Sequence, residues 1–246
     1  MLGLSLGVEH SNYKEFTLSD VGSLSLWLKN GVGVTASKWD DSSGNNNHAT
    51  QGTAANQATT NDIHAGLDFE AGDPDFYSLA SSISIAYRGG FCMAIVMQRE
   101  STTNQAVFSD SVNEQLSFTA GTTSFVLKTN TGASGAQNIV TTANFPAGTF
   151  AAGEKLIFLV NRSVGTSNVF SFFKNGVALT ADTDTSSNEA TGENPNGFDF
   201  DTLGASNSGS GNHFDGIILE VAFWSKGLNT QEIADVNSYL KSFHGL

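Results

Sequence analysis

Phe214-Asp215-Gly216-Ile217-Ile218-Leu219-Glu220-Val221-Ala222-Phe223-Trp224-Ser225 is the stretch on which the fold turns. From Ile217 to Phe223 it is a β-branched and aromatic run, the composition of a strand, broken by one carboxylate. Glu220 in such a run needs a backbone or side-chain donor, because a buried carboxylate without one is costly. It reads as structural, with no second carboxylate tied to it. The periodicity then changes. Asn229 can cap a helix, Glu232 stands three residues on as in a capping box, and Ile233, Val236, Leu240 and Phe243 recur at helical spacing. Lys241 and His244 complement the C-terminal end of the helix dipole, and Gly245 suits the left-handed position that ends a helix. These residues predict a strand followed by one terminal helix, which would plug an end or edge of the strand structure.

Upstream, no other segment has a helical period. Leu24, Leu26 and Leu28 alternate with Ser25 and Trp27, the pattern of a half-buried strand. Leu67 with Phe69, Phe91 to Met97, Leu116 with Phe118, Phe125 with Leu127, Val169 to Phe173 and Phe198 with Phe200 read alike. Leu156 to Val160 is apolar on both faces, which places it centrally in a sheet covered on both sides. Asn175-Gly176 supplies the two positive-φ residues of a type I′ hairpin turn. About a dozen such segments, punctuated by Gly, Ser, Asn and Thr, fit a sandwich or barrel. Residues 42–62 and 181–196 are long polar loops rather than linkers. The organisation predicted is an arm over residues 1–15 and one domain over 16–246.

Composition bounds the chemistry. At 246 residues the chain can bury a sizeable core as one all-β domain. Only 14% of residues are charged, so Ser, Thr, Asn and Gly must supply the polar surface. A net charge of −13 with 11 Lys+Arg opposes binding to nucleic acid or to anionic membranes. Cys92 is the single cysteine and sits in the apolar run Phe91–Val96, so it reads as a buried thiol and no intrachain disulfide forms. Met1–Val8 is apolar but short, without a basic residue before it, and reads as a poor signal peptide. No stretch has the length of a transmembrane helix.

Three segments in order resemble the laminin G-like, concanavalin A-like superfamily. Trp39-Asp40-Asp41-Ser42-Ser43-Gly44-Asn45-Asn46-Asn47-His48-Ala49-Thr50-Gln51 is similar to a segment near the start of such modules in phage and bacterial surface proteins. Phe173-Lys174-Asn175-Gly176-Val177 is similar to the family's Asn-Gly hairpin, and Phe214–Ser225 with Leu228 and Glu232-Ile233 to its closing strand and helix. Leu24–Lys29 resembles the opening strand of phage-borne versions. The resemblance implies an all-β, two-sheet antiparallel jelly-roll sandwich with a short C-terminal helix. It also implies a non-catalytic virion structural protein, a capsid decoration or tail or fibre component, made in the host cytoplasm and oligomeric or lattice-bound. Its partners would be other virion proteins such as the major capsid protein or tail proteins, and cell-surface glycans. A carbohydrate-binding lectin and a glycoside hydrolase are the alternatives.

Candidate chemistry lies in two places. Asp40, Asp41 and Asn45 offer oxygen ligands of the kind calcium takes, and related domains sometimes bind calcium. The same residue types build tight turns, so a turn and a metal site are both open. Asp68, Glu70, Asp73 and Asp75 form an acidic group in which Asp68 and Glu70 share a strand face, as paired glycosidase carboxylates would. Their alternation with Leu67 and Phe69 is equally that of a solvated face, and no hydrolase signature accompanies them. Asp199 with Asp201 and Asp182 with Asp184 read the same way. The five His have no metal-ligand spacing, and no Gly-x-Ser-x-Gly elbow occurs.

Overall fold

A computed structural model describes residues 14–61, 63–110, 114–130, 137–164, 170–181, 183–184 and 197–246. The predicted arm therefore lies outside the described residues as far as residue 13, as do most of loop 181–196 and Asp182.

Among the described residues, eighteen strands, numbered in chain order, form two sheets. The first runs β15 (Val177–Leu179), β14 (Phe170–Lys174), β13 (Lys155–Arg162), β8 (Phe91–Arg99), β18 (Gly216–Trp224), β6 (Gly66–Phe69) and β5 (Thr59–Asn61), with β1 (Leu24–Leu28) on the far half of β18. The second runs β16 (Thr183–Asp184), β12 (Gln137–Asn144), β11 (Ser124–Asn130), β10 (Gln115–Phe118), β9 (Gln105–Ser109), β17 (Phe198–Leu203), β7 (Tyr77–Ile85), β4 (Ala49–Thr50), β3 (Lys38–Trp39) and β2 (Val34–Thr35). Pairing is antiparallel in both sheets. The predicted two-sheet sandwich with one C-terminal helix, α1 (Thr230–His244), is what the chain forms.

Two apolar clusters hold three layers together. Residues from the facing sides of both sheets, among them Phe91, Met93, Phe108, Phe118, Phe158 and Phe223, make the inter-sheet core. The alternate residues of the same central strands, Cys92, Ala94, Val96, Ile157, Leu159, Ala222 and Trp224, form a second cluster with Ile233, Val236 and Leu240 of α1. That is why Phe91–Met97 and Leu156–Val160 are apolar on both faces. It also corrects the predicted place of the helix. α1 lies across the outer face of the first sheet, because that apolar face needs cover more than any sheet end does. The same cover changes the reading of β1: Leu26 and Leu28 enter the inter-sheet core, while Trp27 is buried under the helix instead of facing water. Phe243 is the exception to the helical stripe. It is 47% exposed, and His244 occupies the buried position beside it.

Local chemistry agrees with the predicted signals. Asn229 Oδ1 accepts from the backbone N–H groups of Gln231 and Glu232, Glu232 bonds back to the Asn229 N–H, and Gly245 ends the helix at φ 66°. Asn175 and Gly176 have φ values of 50° and 77°, and Lys174 pairs with Val177, as a two-residue hairpin requires. Cys92 is fully buried, and burial pushes its thiol pKa well up.

Glu220 finds the donors that its burial demands. The pairing of β18 with β8 shifts between Ile218 and Glu220, so a bulge turns both Leu219 and Glu220 toward the helix. One carboxylate oxygen accepts from Trp27 Nε1 at 2.7 Å, and the other lies 2.8 Å from His244 Nε2.

Candidate functional site

The Asp40–His48 segment is a stitched loop. Asp41 is buried, and its Oδ1 accepts from the N–H groups of Trp27 and Ser43, both at 2.9 Å. Its Oδ2 accepts from Ser43 Oγ at 2.8 Å and the Asn47 N–H at 2.9 Å. A calcium ion on Asp41 would have to displace these four donors. Asn45 turns its amide Nδ2 to Leu24 O and Ser43 Oγ, while Asp40 pairs with Lys38, which holds its carboxyl below the usual range. Trp39 is fully buried in the inter-sheet core and presents no sugar-stacking face.

The stitching leaves a groove. Asn45 ties the loop to β1, and Asn47 Oδ1 accepts from the Ser81 N–H of β7 at 2.7 Å. Strand β7 bulges here: Ile83 pairs with Phe200, but Ser78 pairs with Thr202, and Ala80, Ser81 and Ser82 are exposed. Between β1 and this bulge lies a groove of 380 Å³ lined by Ser23, Ser25, Asn45, Asn47, Ser81, Ser82, Ser84 and Ser225, with Leu24 and Ile83 as its apolar part. Ser25 and Ser225 share a short hydrogen bond across it. The lining carries hydroxyl and amide groups and no ionisable side chain. Sequence reasoning singled out Asn45–Asn47 but missed Ser81, Ser82, Ser84 and Ser225. The serines at 81, 82 and 84, flanking the buried Ile83, were the available signal.

The acidic group assembles at another place, on the helix-side face of the first sheet where β6, β8 and β18 meet. Asp68 pairs with Ile217, whose other neighbour is Gln98, two residues before Glu100. Asp68, Glu70 and Glu100 can each bring one oxygen within 4.8 Å of the others, and the Asp215 carboxylate adds to the local charge. Glu100 and Asp215 come from distant segments and were not legible as partners of Asp68. Asp75 turns instead to the Glu70 N–H at 2.9 Å. Asp199 is exposed, and Asp201 accepts from Thr202 Oγ1. Partial burial first, then Asp68 and Asp215, push the Glu70 and Glu100 carboxyls up. Paired glycosidase carboxylates work across a substrate cleft, but Glu70 and Glu100 stand exposed on a sheet face and do not line the groove between β1 and β7. Oxygens so placed could also hold a hard cation.

These raised carboxyls fix a sign. A carboxyl that holds its proton more tightly in the folded state adds stability as pH falls toward its folded pKa, and that contribution is lost as pH rises through it. Glu70→Gln and Glu100→Gln should therefore each raise the melting temperature slightly at pH ~7, with a smaller gain near pH ~4. Thermal melts of the variants against the parent chain check this; destabilisation by both at neutral pH would contradict it.

Residues 71–234 match a family model described as the concanavalin A-like lectin/glucanases superfamily. Among solved structures, the binding domain of Paraclostridial mosquitocidal protein 1 is similar at 16% identity and a TM-score of 0.60, covering 91% of this chain and 53% of that one. The binding domain of botulinum neurotoxin DC, solved in complex with rat synaptotagmin II, is similar at 16% identity and a TM-score of 0.57, covering 90% and 52%. Trypanosoma rangeli sialidase is similar at 11% identity and a TM-score of 0.56, covering 91% and 33%. The chain thus spans about half the length of the toxin chains and a third of the sialidase. At these identities the likeness is one of fold. No curated protein sequence matches the chain.

Proposed function

Because the chain belongs to the concanavalin A-like lectin/glucanase superfamily, we propose that it is a non-catalytic module that binds neutral, hydroxyl-rich surface ligands, glycans above all. The observation that carries this reading is the groove between β1 and β7. Its Ser and Asn groups can donate to and accept from sugar hydroxyls, Leu24 can meet a sugar's apolar face, and no charge is present to favour an ionic ligand. Its 380 Å³ suits one or two sugar units. The toxin binding domains of the same fold support a binding role, and the exposure of Glu70 and Glu100 on an open sheet face, outside the lining of this groove, supports a role without hydrolysis.

The site predicts its own block. Ser82 is exposed on the β7 bulge, so Ser82→Phe should fill the groove while leaving unfolding transitions unchanged. Calorimetric titration with a neutral oligosaccharide bound by the parent chain should show at least about a tenfold loss, the worth of one or two lost hydrogen bonds. Undiminished binding would remove the groove from the account.

The proposed setting is a virus particle, with the module facing host-surface glycans and docked on other virion proteins. Its support is the resemblance of Leu24–Lys29 to phage-borne modules and of Trp39–Gln51 to modules of phage and bacterial surface proteins. Mass spectrometry of purified particles should find the chain at stoichiometric levels; its absence would leave the binding module without that setting.

A further inference from the structure

A second groove has different chemistry. It lies where residues 15–16 cross α1, encloses 270 Å³, and is lined by Phe16, Tyr239 and Phe243 together with the carboxylates of Glu15 and Asp235. Tyr239 and Phe243, one helical turn apart, stack at 5.9 Å and 18°, and Phe16 meets Tyr239 edge-on at 6.3 Å. An aromatic side chain left 47% exposed at Phe243 contributes little to the core, yet it completes this wall.

The charged groups of the lining itself have one sign. Both ionisable groups in the lining besides Tyr239 are carboxylates. The Tyr239 hydroxyl is pushed up to about 12, by burial first and then by the carboxylates of Glu220 and Glu15. Lys29 already rests over the Phe243 ring at 5.9 Å and over Trp27 at 4.9 Å, so these rings accept a cation where one is within reach. Lys29 does not line the groove.

We propose that this groove binds an organic cation, an ammonium group carried on a short apolar stem. The ring faces attract the positive charge, the walls bury the stem, and Glu15 and Asp235 complete the charge balance. A neutral ligand of the same shape would use the walls alone. An anion would meet two carboxylates on a chain of net charge −13.

Choline and its neutral isostere, with carbon in place of the quaternary nitrogen, test the idea by NMR titration of the full chain. Saturable shifts are expected at the rings of Phe16, Tyr239 and Phe243, with choline bound about tenfold more tightly than the isostere. Phe243→Ala and Asp235→Asn, both away from the core, should each weaken choline several-fold without changing helix content. Phosphatidylcholine vesicles that displace choline would assign the cation to lipid headgroups; vesicles that do not would assign it to soluble or polymer-borne ammonium. Equal affinity for choline and isostere, absent shifts, or full affinity in both variants would overturn the proposal. None of these outcomes depends on the glycan groove.

Discussion

Glu220→Ala should lower the stability of the protein by about 3 kcal/mol or more, measured as a fall in the urea midpoint at unchanged slope. Glu220 is 1% exposed, and its two oxygens are the partners of Trp27 Nε1 and His244 Nε2, both themselves buried. Removing the carboxylate leaves two polar groups in an apolar layer with nothing to bond, which is more costly than losing the bonds themselves. The loss should reach beyond the point of substitution. His244 lies in the last turn of α1, and its carbonyl accepts from Lys155 Nζ of β13 at 2.7 Å. The end of the helix is thus pinned to β18 through one group of a single residue and to β13 through another. Glu220→Gln keeps an oxygen for Trp27 and should cost clearly less than the alanine change. If both variants unfold at the midpoint of the parent chain, the network does not anchor the helix.

Phe158→Ala should cost about 3–5 kcal/mol, the range for emptying a buried aromatic site. Phe158 is fully buried at the centre of the inter-sheet core. Its ring lies 4.9 Å from Phe125, 5.1 Å from Phe150, 5.7 Å from Phe118 and 6.4 Å from Phe172. Those neighbours come from both sheets and the loop before β13, so no single element can move in to fill the space. Edge-on ring pairs add roughly 0.5–1.5 kcal/mol each beyond burial, which places this site at the upper end. Phe243→Ala is the internal comparison: its ring is half-exposed, and its removal should change stability by under about 0.5 kcal/mol. Equal losses at the two positions would contradict the division between core and groove.

That pair of phenylalanines shows how far the sequence carries. Helical spacing places Ile233, Val236, Leu240 and Phe243 on one stripe, and three of the four are buried. The fourth is not, because the stripe ends where the sheet's apolar face ends and where Glu220 needs His244. Local chemistry was legible: the Asn229–Glu232 capping box, the Asn175-Gly176 turn, the doubly covered strands and a donor-hungry Glu220 all follow from neighbours in the chain. What escaped depends on register. The bulge beside Glu220 decides which face it takes, and its partners stand 193 and 24 residues away. The bulge in β7 likewise turns serines outward against a loop 34 residues upstream. Asp68 and Glu70 were visible as a pair, but Glu100 and Asp215 join them only when β6, β18 and β8 align.

The central claim is recognition of neutral glycans in the Ser/Asn groove, and an array of immobilised glycans tests it most directly. Applied with the parent chain and with Ser82→Phe, the array should show a set of neutral oligosaccharides bound by the parent and lost in the variant. Sialylated and sulfated glycans should be bound weakly by both, as a net charge of −13 requires. A parent chain that binds no neutral glycan, or a variant that keeps the same binding set, would contradict the account.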